Sequence, residues 1–244
     1  MGVRWGNAPN RLSSPAMTAF LGKPSSDPNS FSSRQRRKRM GLLAGLLRRS
    51  KSLHVLDLGG TVEFWESHAG HLDPGTLATL EVVNLEPDRE VQDLPLQSGG
   101  TLTSHVGDST HPVGLMRDSY DLVFSNSVME HVGNLGSQKK MADAVRSLGR
   151  WHFVQTPSRR FPIETHFHMP FFAFLPLGVR TTLHQRFSCG FMGRESDWLK
   201  ARLACEQTRL LSRAELAALF PQSRILAERV VGFVKSWMVT NIPE

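Results

Sequence analysis

Leu53-His54-Val55-Leu56-Asp57-Leu58-Gly59-Gly60-Thr61 is the stretch that decides the fold. A short apolar run that stops at a glycine pair reads as a buried strand running into a turn. The same reading applies to Ala78 to Leu85, Thr101 to Val106, Tyr120 to Ser125 and Trp151 to Gln155. Between the last two, Gln138 to Arg150 places Met141, Ala142, Val145 and Leu148 on one helical face. Strands alternating with helical patterns predict an α/β domain, with a parallel sheet covered on both faces. Ser212-Arg213-Ala214-Glu215 is a capping box, in which a hydroxyl and a carboxylate three residues apart satisfy orphan helix N–H groups. It predicts a helix over Ala214 to Phe220, ended by Pro221. Ile225 to Val231 and Phe233 to Thr240, with Gly232 between them, read as a terminal antiparallel pair.

Ligands of an open parallel sheet bind at the carboxyl ends of its strands, where strand order switches. The residues that follow each run are therefore the candidates. After the first come Asp57, Gly59, Gly60 and Thr61, where glycines permit a tight turn and close approach of a ligand to backbone. Gly59 to Phe64 is not G-x-G-x-x-G, and no Gly-Lys-Ser/Thr phosphate loop is present. The second run ends at Asn84-Leu85-Glu86-Pro87, where an acid can accept from both hydroxyls of a ribose. The third ends at Gly107-Asp108, whose carboxylate suits an adenine amino group. The fourth ends at Ser125-Asn126-Ser127, followed by Val128-Met129-Glu130-His131. Several acids and no Lys or Arg converge on these ends, a field that favours a neutral or cationic nucleoside over a polyphosphate. Any single acid after a strand is more often a cap or a solvated turn. The ordered set at four successive strand ends carries the reading.

The 244 residues have a formal net charge of +7, unevenly spread. Residues 1–51 hold 11 Lys and Arg against one acid, Asp27, or +10; the remainder holds 18 bases and 21 acids, or −3. Residues 1–33 read as a disordered basic arm, rich in Ser, Pro, Asn and Gly. Met40, Leu43, Leu46 and Leu47 predict a helix leading into the core, with a membrane-surface helix as the minority reading. Cys189 and Cys205 sit in no CxxC or zinc pattern and read as free thiols. Without a signal-peptide core or a bilayer-spanning apolar stretch, the chain reads as cytoplasmic.

On these residues the sequence resembles the class I S-adenosylmethionine-dependent methyltransferases, in their bacterial small-molecule branch. Val55 to Thr61 is similar to that family's first motif, and Leu85-Glu86-Pro87 to its ribose-binding acid. Gly107-Asp108 resembles its adenine-contacting acid, and Tyr120 to Val132 its fourth-strand motif. Phe153 to Glu164 resembles the fifth strand and following loop of one subgroup. Thr61 and Glu63 stand where the family usually has glycines. The resemblance implies a Rossmann-like seven-stranded, mostly parallel sheet in the order 3-2-1-4-5-7-6, with the last strand antiparallel and helices on both faces. It implies a methyltransferase domain over residues 34–244, with a substrate lid or insertion at about 158–211. It implies S-adenosyl-L-methionine as cofactor, held by Asp57, Gly59, Gly60, Thr61, Glu86, Asp108, Asn126 and Ser127.

The transfer so implied is an SN2 displacement toward a small-molecule, lipid or saccharide acceptor, with orientation as the protein's main contribution. For a hydroxyl acceptor, His131, Glu164, His166 and His168 are the candidate bases. Glu164, His166 and His168 share one face of an extended chain, as metal ligands can, but no fourth ligand cluster stands out and no metal is expected. Met169 to Pro176 reads as core, or as an apolar lid that admits a lipid-like or aromatic acceptor or rests on a bilayer. The arginines of Leu177 to Leu211 are solvated faces or grips for an anionic acceptor. Two rival readings stay open. One is a nucleic-acid methyltransferase using the basic arm; the other is a non-catalytic cofactor-binding protein of the same fold. Against the first, Asn126 is followed by Ser127-Val128, which is no Asn-Pro-Pro-Tyr/Phe signature.

Overall fold

The computed structural model describes residues 30–163, 167, 169, 171–189 and 192–244. In chain order the helices are α1 (Phe31–Leu47), α2 (Val62–His68), α3 (Leu135–Leu148), α4 (Leu177–Arg186), α5 (Trp198–Gln207) and α6 (Arg213–Leu219). The strands are β1 (Leu53–Leu58), β2 (Leu77–Asn84), β3 (Val91–Pro95), β4 (Thr101–Val106), β5 (Tyr120–Asn126), β6 (Gly149–Pro157), β7 (Arg224–Val230) and β8 (Phe233–Thr240). They form one sheet in the order β3-β4-β2-β1-β5-β6-β8-β7.

The expected seven strands are present in the expected order, with β8 antiparallel to both β6 and β7. The sheet has eight strands rather than seven. The extra one, β3, pairs antiparallel with β4 at the edge. It carries Asp93 at φ 51 and a register shift between Val91 and Leu94, and it ends in Pro95. Proline and a bulge are tolerated at a sheet edge, which is why no alternating pattern announced this strand.

Period-2 alternation along the central strands divides the core. Val55, Leu122, Phe124 and Phe153 face a layer that contains Met40, Leu43 and Leu47 of α1 and Trp65 of α2. Leu56, Leu58, Val123 and Val154 face Met141, Ala142 and Val145 of α3 and Leu216 of α6. A separate small core lies beyond β6, in which Phe167 and Phe172 pack with Cys189 and Cys205. Both cysteines are buried free thiols, and burial pushes the Cys189 thiol up to about 11.

Two helix starts differ from expectation. α3 begins at Leu135, capped by Asn134, whose side chain accepts from Ser137 N–H at 3.1 Å. Gly149 and Arg150 belong to β6 instead of to that helix. α1 begins at Phe31, capped by the Ser30 hydroxyl. The basic run Arg34 to Arg39 is therefore helical, and the last residues of the expected 1–33 arm are part of this element. Residues 1–29 of that arm lie outside the described residues.

Candidate active site

β1 is flanked by β2 on one side and by β5 on the other, both parallel to it. The chain runs outward through β2 and β4, then returns to add β5 and β6 on the opposite side. The carboxyl ends of β1 and β5 therefore mark the switch point, where a parallel sheet opens a crevice. A cavity of about 520 Å³ lies there. Asp57, Gly59, Gly60 and Thr61 line it from the β1 side, and Phe124, Asn126 and Ser127 from the β5 side. Its size suits a small-molecule ligand or cofactor.

Steric demands on the glycine turn explain its composition. Gly59 has φ +86, and a side chain there would collide with Val128. A Cβ on Gly60 would overlap the Asp57 carboxylate. Asn84, at the end of β2, holds the turn from below: its Nδ2 donates to the carbonyls of Gly59 at 3.2 Å and Gly60 at 2.8 Å. Thr61 leaves the turn as N-cap of α2, accepting from Phe64 N–H at 3.1 Å. Asp88 completes the helix start by accepting from the N–H groups of Val62 at 2.9 Å and Glu63 at 3.0 Å. The helix that would otherwise aim free N–H groups at a phosphate is thus already satisfied by protein groups.

Asp57 is 0% exposed. Its Oδ2 accepts from Trp65 Nε1 at 2.6 Å, and its buried Oδ1 has no hydrogen-bond partner among the described residues. Burial raises its carboxyl from the ordinary carboxylate range to about 7, with the Trp65 bond pulling the other way. A buried acid with one unmet oxygen beside a cavity is suited to a cationic or hydrogen-bond-donating ligand.

Opposite this wall, α1 closes the cavity with Ser33, Arg36 and Arg37. Arg39 sits deeper in the same helix. Its Nη1 donates to Asn126 Oδ1 at 2.7 Å and to Gln155 Oε1, and its Nε lies 3.4 Å from Glu228 Oε1. Ser127, at φ 58, donates its hydroxyl to Gln155 Oε1 at 2.8 Å. Asn126 and Ser127, the cavity-lining polar residues at the end of β5, are therefore tied to α1 and β6. Sequence reading missed Arg36, Arg37, Arg39, Trp65 and Asp88. Trp65, eight residues after Asp57 and on the buried face of α2, had a legible signal in that spacing; the others depend on contacts between distant segments.

The cavity gathers six of the eight expected cofactor residues: Asp57, Gly59, Gly60, Thr61, Asn126 and Ser127. Glu86 and Asp108 are exposed at the ends of β2 and β4 and are not among its lining residues. Asp108 caps a local turn, accepting from Thr110 N–H at 2.7 Å and Thr110 Oγ1 at 2.8 Å. His131 follows β5 on a turn closed by its N–H to the Val128 carbonyl at 2.8 Å, with its side chain 41% exposed. Its Nε2 lies 4.0 Å from Oε1 of the fully buried Glu130, whose Oε2 accepts from Thr156 Oγ1 at 3.0 Å. Glu164, His166 and His168 lie outside the described residues. Among the described residues, no group of three His, Cys, Asp or Glu is arranged to hold a metal ion. Nor is any helix among them long and apolar enough to cross a membrane.

Neither family models nor curated proteins give a match to this chain. Solved structures do. Magnesium protoporphyrin IX methyltransferase from Synechocystis PCC 6803, solved with bound SAH, is 13% identical with a TM-score of 0.51; the match covers 91% of this chain and 90% of that one. A Pyrococcus horikoshii OT3 protein is 14% identical with a TM-score of 0.50, over 93% and 98% of the two chains. The CurJ carbon methyltransferase is 11% identical with a TM-score of 0.50, over 92% of this chain and 56% of that one. The chain has the Rossmann-like fold found in methyltransferases.

Proposed function

We propose that the chain is an S-adenosylmethionine-dependent methyltransferase acting on a small-molecule, lipid or saccharide acceptor. The observation that carries this reading is the switch-point cavity, walled by the Gly59-Gly60 turn and by Asp57 with its unmet Oδ1. A buried acid with an unmet oxygen beside a glycine turn suits a nucleoside that bears a cationic amino-acid tail, and the helix start after the turn already has its N–H groups satisfied by Asp88. The fold shared with methyltransferases supports the same choice.

When bound, the cofactor supplies a methyl on a sulfonium sulfur; the acceptor's nucleophile forms the new bond to carbon as the carbon–sulfur bond breaks, leaving a neutral thioether. The chain's own residues orient and desolvate. Asp57 and the turn fix one end of the ligand, and Asn126 and Ser127 border the opening toward the acceptor. For a hydroxyl acceptor, His131 takes the proton, and the Glu130 carboxylate beside it steadies the imidazolium that forms. Glu86 and Asp108, exposed at the neighbouring strand ends, would hold the ribose and adenine of a cofactor that reaches beyond the cavity.

Calorimetric titration with S-adenosylmethionine tests the reading. We expect saturable binding with one site per chain; the absence of saturable binding by either the cofactor or its demethylated thioether overturns it. Incubation with methyl-labelled cofactor and a fractionated host extract then asks which fraction takes up label. Binding without label transfer to any fraction favours the non-catalytic reading.

A further inference from the structure

A second cavity, of about 190 Å³, lies within the insertion, away from the glycine turn. Arg159, Arg180 and Arg209 line it together with Phe167 and Phe172, and no acid is among its described lining residues. Three guanidinium groups around one small space repel one another unless an anion compensates them. Arg209 is compensated: its guanidinium donates to Gln138 Oε1 at 2.7 Å and pairs with Glu215. Arg159 and Arg180 are different. Arg159 is exposed two residues beyond β6. Arg180, on α4, donates from Nη1 to the Cys205 carbonyl at 3.3 Å, but its buried Nε has no partner among the described residues. A buried charged donor left unmet is destabilising by itself, so its retention points to a ligand that completes it.

The other walls define the rest of that ligand. Phe167 and Phe172 stack at 4.4 Å between ring centroids. They form an apolar surface beside the guanidinium groups, which suits an aromatic or aliphatic body bearing a charged head. A space of about 150 Å³ is enough to hold a benzene ring.

The cavity also adjoins the reaction edge of the sheet. The Arg209 N–H donates to the Glu130 carbonyl at 2.8 Å, one residue before His131, and Ser158 bridges to Leu211 just after β6. We infer that this cavity is the acceptor subsite. It would take a carboxylate or phosphate group carried on an apolar body, with Arg159 and Arg180 as the residues that hold the oxyanion. This deepens the proposed methyltransferase reading by giving the acceptor a charge, and it rests on that reading.

Phenyl phosphate and benzoate are the probes, with phenol as the uncharged control, titrated against the full-length chain without cofactor. We expect saturable binding of at least one anionic probe and none of phenol. Arg159→Ala and Arg180→Met should each weaken that binding by about tenfold or more while melting temperature holds. Phenyl phosphate tighter than benzoate assigns the head as phosphate, and the reverse assigns it as carboxylate. Failure of both anions to bind, or parental affinity in both variants, overturns the inference. Cofactor titration on the same samples is a separate reading. Loss of anion binding with intact cofactor binding fails only the subsite, and the reverse fails only the methyltransferase proposal.

Discussion

Asp57 is where the physics of the site is most concentrated. The folded protein holds its carboxyl near pKa 7, against an ordinary value of 3.8. Between those two values the folded state carries a proton that the unfolded chain has released. Stability without ligand therefore falls as pH rises from about 4 to about 7 and is level above that. Over pH 5 to 7 the loss is about 2 kcal/mol for one group. Asp57→Asn removes this dependence, so its melting temperature should exceed that of the parent chain more at pH 8 than at pH 5. Equal differences at the two pH values would mean that Asp57 does not titrate with folding. Ligand binding follows the opposite sign. A cation beside Asp57 favours its ionised form, so affinity for S-adenosylmethionine should tighten from pH 6 to pH 8 and then flatten. The Asp57→Asn variant should bind more weakly at pH 8, with little pH dependence, in the same calorimetric titration. At His131 the expected signature differs: His131→Ala should lower turnover about 100-fold with cofactor affinity unchanged, within the range of a lost general base. Equal loss of both would make the residue structural.

At the scale of elements, α1 does more than cover the sheet. Arg39, Glu228 and Lys235 form a buried charge cluster between α1 and the β7–β8 pair. Lys235 Nζ lies 3.6 Å from Glu228 Oε2, and Ser236 Oγ donates to the same oxygen at 2.5 Å. Burial drives the Lys235 ammonium down to about 8, with Glu228 opposing the shift. Removing one member of such a set leaves a buried charge unmatched, typically at a cost of about 3–5 kcal/mol. Arg39→Leu leaves Glu228 its pair with Lys235 but takes the donor from Asn126 Oδ1 and Gln155 Oε1, so it should lower unfolding free energy by about 2 kcal/mol in urea and loosen cofactor binding through Asn126. A variant of parental stability would show that the cluster contributes no net energy. None of this was legible in the sequence, because the partners are 87 to 116 positions apart for Asn126 and Gln155. What was legible was local. β1, β2, β4, β5 and β6 each announced themselves as apolar runs, and Ser212 and Glu215 make the capping box as expected. β3 failed to show because an edge strand with Pro95 and a bulge has no alternation to read. α4 and α5 did not show because they pack on a small satellite core rather than on the sheet.

For the whole molecule, the structure moves the charge. The +10 of residues 1–51 looked like the property of an arm, yet residues 1–29 hold only Arg4, Arg11 and Lys23 against Asp27, a net of +2. The remaining excess belongs to α1 and the turn after it. Part of it is committed there: Arg39 is buried in its cluster, and Arg36 lines the switch-point cavity, its guanidinium held below its ordinary value by burial. Arg34, Lys38, Arg48 and Arg49 are left exposed along the helix and at its end. A rigid stripe of a few cations attracts polyanions weakly, through counterion release at each phosphate it neutralises. Binding of a fluorescent oligouridylate should therefore have a shallow salt dependence. Deleting residues 1–29 should leave its slope nearly unchanged, and Arg34→Gln with Lys38→Gln should reduce it by about 1 to 2. A steep slope that vanishes on deletion of residues 1–29 would place the grip in the arm and restore the nucleic-acid reading. With the predicted result, the charge on α1 acts on steering and on the walls of the switch-point cavity.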